Sequence, residues 1–462
     1  MVTATPWRPG RARRRRASSP GVALCRRVIE GAAAFRSPSR RSQALLPPRA
    51  IGDHDGVTTT AAPARDASRA REQLLDALWA GFLAIVFVAL SVGWVASRLG
   101  LVHKPRYVLE TDHLVYIEMA KQPLGGVPGT LARSAPFCWR VLTPALARGL
   151  MGLGLRVHGA FYLVTQAGLL AFLTSLFLLL RRQGFLRGEA ALGVALVGLL
   201  PGAVRWYEYQ YWMSDPMALA SLVLVLLVLE ARCDRQLAWL GPLSAAIRES
   251  YVLVLPYVAL RRWRESGPAR AAGTLAWAAI LPAGVLLLLR SLIVPDHHPD
   301  WVRALVDGTV YRLGHLGPDQ LYALSVGSFG AMLLAPLLWP ERLARALVRR
   351  PQDTAFLVGV FSTLLVASNT DRLLAYSLPI VAPLFLLALR RAAADWGVPF
   401  RVLGLVALVL QLQLFVVAPF RRPGLSIHPQ ASLLVAATYA LVLVAGWALR
   451  WRAGRERASP PR

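Results

Sequence analysis

DALWAGFLAIVFVALSVGWVAS, residues 76–97, carries no charged side chain after Asp76. A run of about 20 apolar residues is the length that crosses the hydrocarbon core of a bilayer as an α-helix. Comparable blocks recur near 159–180, 190–205, 214–231, 271–290, 321–339, 354–368, 373–390, 402–419 and 431–449. The 462 residues are 55% hydrophobic and only 17% charged, too little polar surface to cover a soluble protein of that size. The expected fold class is therefore all-α, a polytopic transmembrane helical bundle of about ten full spans. Segment 237–260 is apolar but interrupted by Pro242 and by Arg248-Glu249. Irregular backbone at membrane depth survives only inside protein or along a cavity, so this segment reads as a re-entrant hairpin or two short helices. Arg248 and Glu249 then form a buried ion pair fixing that segment, or mark function.

The formal net charge of +27 would, in a soluble protein, point to nucleic acid. Here the arginines sit in short clusters between apolar blocks: Arg181-Arg182, Arg232 to Arg235, Arg261 to Arg264, Arg342 to Arg350, Arg390-Arg391 and Arg450 onward. The alternate loops, 206–213, 291–320 and 369–371, hold fewer, and Arg421-Arg422 is the exception. The positive-inside rule explains this and puts both termini in the cytoplasm of a multi-pass protein. Arginine so outnumbers lysine, which occurs only as Lys104 and Lys121, that a GC-rich bacterial genome is indicated. The bacterial cytoplasmic (inner) membrane is the expected location, with no nucleic-acid partner.

Three regions follow: an Arg-rich tail, 1–75, expected to be disordered; a transmembrane domain, 76–450, whose segment 100–157 is a long external loop with interfacial helices; and a cytoplasmic tail, 451–462. The tail is basic and acid-poor, like a targeting segment. Cys25, Cys138 and Cys233 are far apart, with no CxxC or Cys/His cluster, so neither a disulfide framework nor a zinc site is indicated.

The outward loops hold the candidate chemistry. Glu110-Thr111-Asp112-His113 precedes Tyr116 and Met119, and Asp112, Tyr116 and Met119 lie one turn apart on a helix. Asp112 would open a helix at the membrane face, where a capping role is the alternative. Trp206-Tyr207-Glu208-Tyr209-Gln210-Tyr211-Trp212 is followed by Ser214-Asp215-Pro216. Its aromatics suit an interfacial belt, and Asp215 suits an N-cap with Pro216 at the first helical position. Ser368-Asn369-Thr370-Asp371-Arg372 reads as a tight turn. Arg372, at the mouth of the next helix, suits either a lipid phosphate or a local pair with Asp371. Arg140 begins an interfacial helix within 139–155.

Together these residues resemble the GT-C superfamily of membrane glycosyltransferases. Glu110-Thr111-Asp112 matches, in type and place, the acidic motif of that family's first external loop. Tyr116, the run from Pro136-Phe137 to Arg140-Val141-Leu142-Thr143-Pro144, Arg248-Glu249-Ser250 and Asp371-Arg372-Leu373-Leu374 are similar to segments of bacterial members. The resemblance implies an inverting transfer of a sugar from a polyprenyl-phosphate carrier, on the non-cytoplasmic side, to a glycan, lipid or protein acceptor, as in cell-envelope polysaccharide biosynthesis. Asp112, with Glu110, would be catalytic. Arg372, then Arg140 or Arg248, would hold the phosphate. Glu208 and Asp215 would hold the acceptor or a divalent cation, Mg²⁺ or Mn²⁺, although many GT-C-like enzymes need no metal. The alternatives are a transporter or flippase for a lipid-linked glycan, suggested by the broken segment 237–260, and a non-catalytic membrane scaffold.

Overall fold

The structure is a computed structural model. It describes residues 62–99, 111–123, 126–296, 303, 306–310, 314, 317–365, 370–417, 420–422, 426–427 and 429–458. The chain divides into two units, Met1–Leu75 and Asp76–Arg462. Residues 1–61 of the expected tail lie outside the described residues, but 62–75 are helical: α1 runs Ala62–Leu99. The stretch Arg69-Ala70-Arg71-Glu72-Gln73-Leu74-Leu75 consists of strong helix formers, so the helix starts well before its apolar block.

Among the described residues the chain is helical apart from one short antiparallel ladder, β1 (Phe420–Arg422) with β2 (Ser426–Ile427). Among the described residues, six helices are long and apolar enough to cross a membrane: Ala70–Ser97, Val157–Arg182, Pro268–Leu292, Arg372–Trp396, Phe400–Val417 and Gln430–Arg455. Arg187–Gly198 and Pro201–Tyr209 reach that length only as a pair, bent by 47°. The bend falls where Pro201 cannot donate a backbone bond and the next turn widens to π geometry.

The other apolar blocks form shorter pieces. In order, the helices used below are α2 (Thr111–Lys121), α3 (Leu142–Gly152), α4 (Val157–Arg182), α5 (Arg187–Gly198), α6 (Asp215–Glu230), α7 (Leu237–Ile247), α8 (Leu255–Ser266) and α9 (Pro268–Leu292). They continue with α10 (Pro318–Phe329), α11 (Pro340–Arg349), α12 (Pro351–Ser362), α13 (Leu378–Trp396), α14 (Phe400–Val417) and α15 (Pro429–Ala458). Segment 237–260 takes the two-short-helix form, α7 and α8 joined by the 3₁₀ turn Glu249–Val254. Block 321–339 breaks at Gly330, whose φ of 50° is the left-handed region that glycine adopts freely.

Polar groups released by the two breaks are satisfied from one side chain. Gln411 of α14 accepts the Ala331 N–H at 3.0 Å and donates to the Leu199 carbonyl at 3.3 Å. Arg205, in the bent segment, is buried with its guanidinium 4.3 Å from the Trp94 ring and donates to the Phe415 carbonyl at 2.8 Å. These contacts follow from the rule that backbone and charge at membrane depth need partners within the protein.

A chain of contacts joins the arginine clusters at one end of the bundle. Asp76 accepts from Arg181 and Arg187, Glu189 pairs with Arg390, Asp395 with Arg342, and Glu341 with Arg450. Arg264 donates to the Arg349 carbonyl at 2.6 Å, while Arg262 pairs with Asp234 and Arg261 with Glu230. Residues of the arginine clusters read from the sequence thus tie neighbouring helix ends together through these contacts.

Candidate functional site

The site forms from four separate stretches of chain. Arg248 sits between α7 and the 3₁₀ turn with φ −163° and ψ 140°. In extended backbone, successive side chains point to opposite sides. Arg248 and Glu249 therefore do not pair with each other, contrary to the expected local ion pair. Arg248 pairs with Asp215, and Glu249 with Arg140, whose Nε donates to Oε2 at 2.9 Å.

Asp215 opens α6 and is completely buried. Its position is set by a close helix contact. A Cβ at Gly168 of α4 would lie 2.9 Å from Met217 N and from the Pro216 carbonyl carbon, so the missing side chain lets α6 start against α4. Ser214 takes the N-cap place and no side-chain cap forms, which corrects the capping role expected of Asp215. Its carboxylate instead accepts from Arg248 and from Tyr376 Oη at 3.1 Å, with Arg372 Nη1 at 3.8 Å. Tyr376 lies one turn after Arg372, so both reach the same carboxylate.

Arg140 extends the cluster toward α2. Its Nη1 donates to Tyr116 Oη at 3.1 Å, Tyr116 lies 3.4 Å from Ser214 Oγ, and the guanidinium stands 5.0 Å from the Phe137 ring. Arg140, Arg248 and Arg372 are all buried. Among the described residues, the cluster so formed has three guanidiniums against two carboxylates, Asp215 and Glu249. No family model, curated protein or solved structure matches this chain. Buried guanidiniums held in place by carboxylates and tyrosines, as Arg140 and Arg248 are, form a fixed cationic surface of the kind that suits an anionic ligand.

One small space adjoins the cluster, and a larger one lies between neighbouring helices. A cavity of about 10 Å³, roughly the room one water needs, is lined by Ser221, Ser244, Arg248, Ser250 and Tyr376 among others. A larger groove, about 630 Å³, runs between α2 and α3 past Met119, Val141, Pro144 and Arg148. None of the ion-paired residues of the cluster lines it.

The acidic first-loop motif stands differently. Glu110 lies outside the described residues. Asp112 occupies the first turn of α2, one turn before Tyr116, but its side chain is outside the description, as is that of Asp371. Next to it, His113 is buried with its ring 5.1 Å from that of Trp212. Glu208 does not join the Asp215 cluster. It is buried, accepts Gln166 Nε2 at 2.7 Å, and its other oxygen has no hydrogen-bond partner. Asp215 faces guanidiniums and Glu208 faces an amide, so the two acids do not share a cation site, and no group of His, Cys, Asp or Glu suited to a metal occurs among the described residues. Trp206, Tyr207, Tyr211 and Trp212 are buried rather than arrayed as an interfacial belt. Tyr207 uses its hydroxyl to bond the Arg372 carbonyl at 3.3 Å. Cys138 is a buried free thiol that burial pushes up to about 11, so it offers no thiolate nucleophile.

Tyr376 and Ser214 were not singled out from the sequence as site residues. Tyr376 left a signal, its four-residue spacing from Arg372; Ser214 left only its adjacency to Asp215.

Proposed function

We propose that the chain is an integral membrane glycosyltransferase that moves a sugar from a polyprenyl-phosphate carrier to an acceptor on the non-cytoplasmic face. The observation that carries this reading is the buried convergence of Arg140, Arg248 and Arg372 around Asp215 and Glu249, beside the helix that Asp112 opens. In the reaction, the acceptor hydroxyl gives its proton to the Asp112 carboxylate while its oxygen bonds to the anomeric carbon. The bond from that carbon to the phosphate oxygen breaks, and its electron pair leaves with the lipid phosphate. Charge growing on that phosphate is what a preorganised guanidinium stabilises most. Arg372 is the first choice because the resemblance places it at the phosphate and it is buried within 3.8 Å of Asp215. The shorter apolar helices complete about ten crossings under this reading, with both termini in the cytoplasm of a bacterial inner membrane.

The test is transfer by the purified full chain supplied with labelled polyprenyl-phosphate sugars and lipid or glycan acceptors. Asp112→Asn should abolish transfer while leaving membrane insertion intact, since positioned general bases contribute roughly 10²–10⁴-fold. A flippase is favoured by one observation, the extended break at Arg248 between α7 and α8. Movement of intact lipid-linked glycan across vesicles by Asp112→Asn protein, without transfer by the parent, would establish that alternative. Neither activity in either protein would leave the scaffold.

A further inference from the structure

The arginine end of the bundle carries a charged surface that sugar transfer does not use. α11 is amphipathic: Leu343, Ala346 and Leu347 pack on the core, and helical spacing places Arg342, Arg345 and Arg349 together on the opposite face. Arg342 pairs with Asp395. No carboxylate pairs with Arg345 or Arg349 among the described residues; Arg345 Nε donates only to the Glu341 carbonyl, at 3.2 Å.

Beside it, the last turns of α15 present Trp447, Arg450, Trp451 and Arg455 on one open face. Arg450 ties this face to α11, donating to Glu341 Oε1 at 2.5 Å and to the neighbouring Leu338 carbonyl at 2.6 Å. The Arg455 guanidinium stands 3.6 Å from the Trp451 ring, and both indoles are more than half exposed, Trp447 at 58% and Trp451 at 62%.

Exposed indoles beside guanidiniums, at the end of a spanning helix, match the layered chemistry of a headgroup boundary. The indole suits the glycerol and carbonyl level, and the guanidinium suits a phosphate. The surplus of positive charge selects among lipids, because a zwitterionic headgroup brings its own cation.

We propose that this surface is a binding site for a phospholipid with an anionic headgroup. Trp447, Trp451 and Arg455 form the open face against which the lipid lies, and Arg345 and Arg349 extend the basic surface along α11.

The experiment uses the purified full chain in detergent micelles doped with brominated phosphatidylglycerol, with brominated phosphatidylcholine or soluble glycerol phosphate as comparisons. Phosphatidylglycerol should quench tryptophan fluorescence at lower mole fraction than phosphatidylcholine, and glycerol phosphate should change nothing. Each arginine near an anionic surface contributes roughly fivefold in affinity. Arg345→Gln with Arg349→Gln should therefore weaken the phosphatidylglycerol preference roughly 25-fold, whereas the two lysine variants should keep most of it. Trp447→Phe with Trp451→Phe should remove the lipid-selective part of the quenching. Thermal unfolding in phosphatidylcholine micelles reports whether each variant is folded. Equal quenching by the two lipids, or an undiminished preference in folded Arg345→Gln/Arg349→Gln protein, overturns the proposal.

Discussion

The two ends of the bundle use the same residue types for different purposes. At the arginine end, ion pairs such as Arg390–Glu189, Arg342–Asp395 and Arg450–Glu341 are partly open to solvent and tie one helix end to the next. At the other end, Arg140, Arg248 and Arg372 are buried around Asp215 and Glu249. An exposed pair contributes roughly 0–1 kcal/mol. A buried pair stabilises little relative to apolar packing, yet losing one partner costs about 3–5 kcal/mol because the other charge is stranded. The first arrangement tolerates substitution. The second does not.

The comparison breaks or sharpens in four measurements. The largest effect is on transfer: Arg372→Gln should lower the rate by about 10²–10³, the loss typical of a removed transition-state donor, while Arg390→Gln leaves it near the parent value. Equal losses in the same transfer assay would erase the distinction between the ends. Next is stability. Asp215→Ala strands Arg248 and should cost about 3–5 kcal/mol, against under about 1 kcal/mol for Glu341→Ala, read by thermal unfolding in detergent. Third, Gly168→Ala would push a methyl to 2.9 Å from the backbone at Pro216 and Met217, an overpacking cost of about 1–3 kcal/mol. Gly188, at the arginine end, has open space around its Cβ position, so Gly188→Ala should instead gain up to about 1 kcal/mol from helix propensity.

The smallest effect is a pH dependence. A backbone hydrogen bond at Glu341 itself, and then Arg450, hold the Glu341 carboxyl below the usual carboxylate range. A depressed carboxylate stabilises the fold above its unfolded value of about 4.3 and loses that contribution as the pH falls through its lower folded value. Glu341→Gln should flatten the decline of melting temperature below about pH 4.3, and an unchanged profile would show that the Arg450 contact carries no linkage.

Several site residues were legible one at a time. Arg248 stood out as a charge in an apolar stretch, which is expensive unless used, while Arg140, Asp215 and Arg372 were singled out in the outward segments, and the structure brings all four together. Their partners were not legible. Arg248 and Glu249 are adjacent in sequence and look like a pair, but the extended backbone between α7 and the 3₁₀ turn sends them to different carboxylate and guanidinium partners. Glu208 looked equivalent to Asp215 and is held elsewhere, by Gln166. Span counting met a similar limit. Hydropathy registers apolar content but not continuity, and Pro201 and Gly330 interrupt helices whose composition alone reads as unbroken.

The sequence by itself determined the solvent this protein is built for and its helical class, because apolar run length is a local property summed along the chain. Only the tertiary structure decided which charges meet. Ion-pair partners are chosen by where a side chain points after helices break and pack, and that direction turns on single dihedral angles and on one missing Cβ at Gly168.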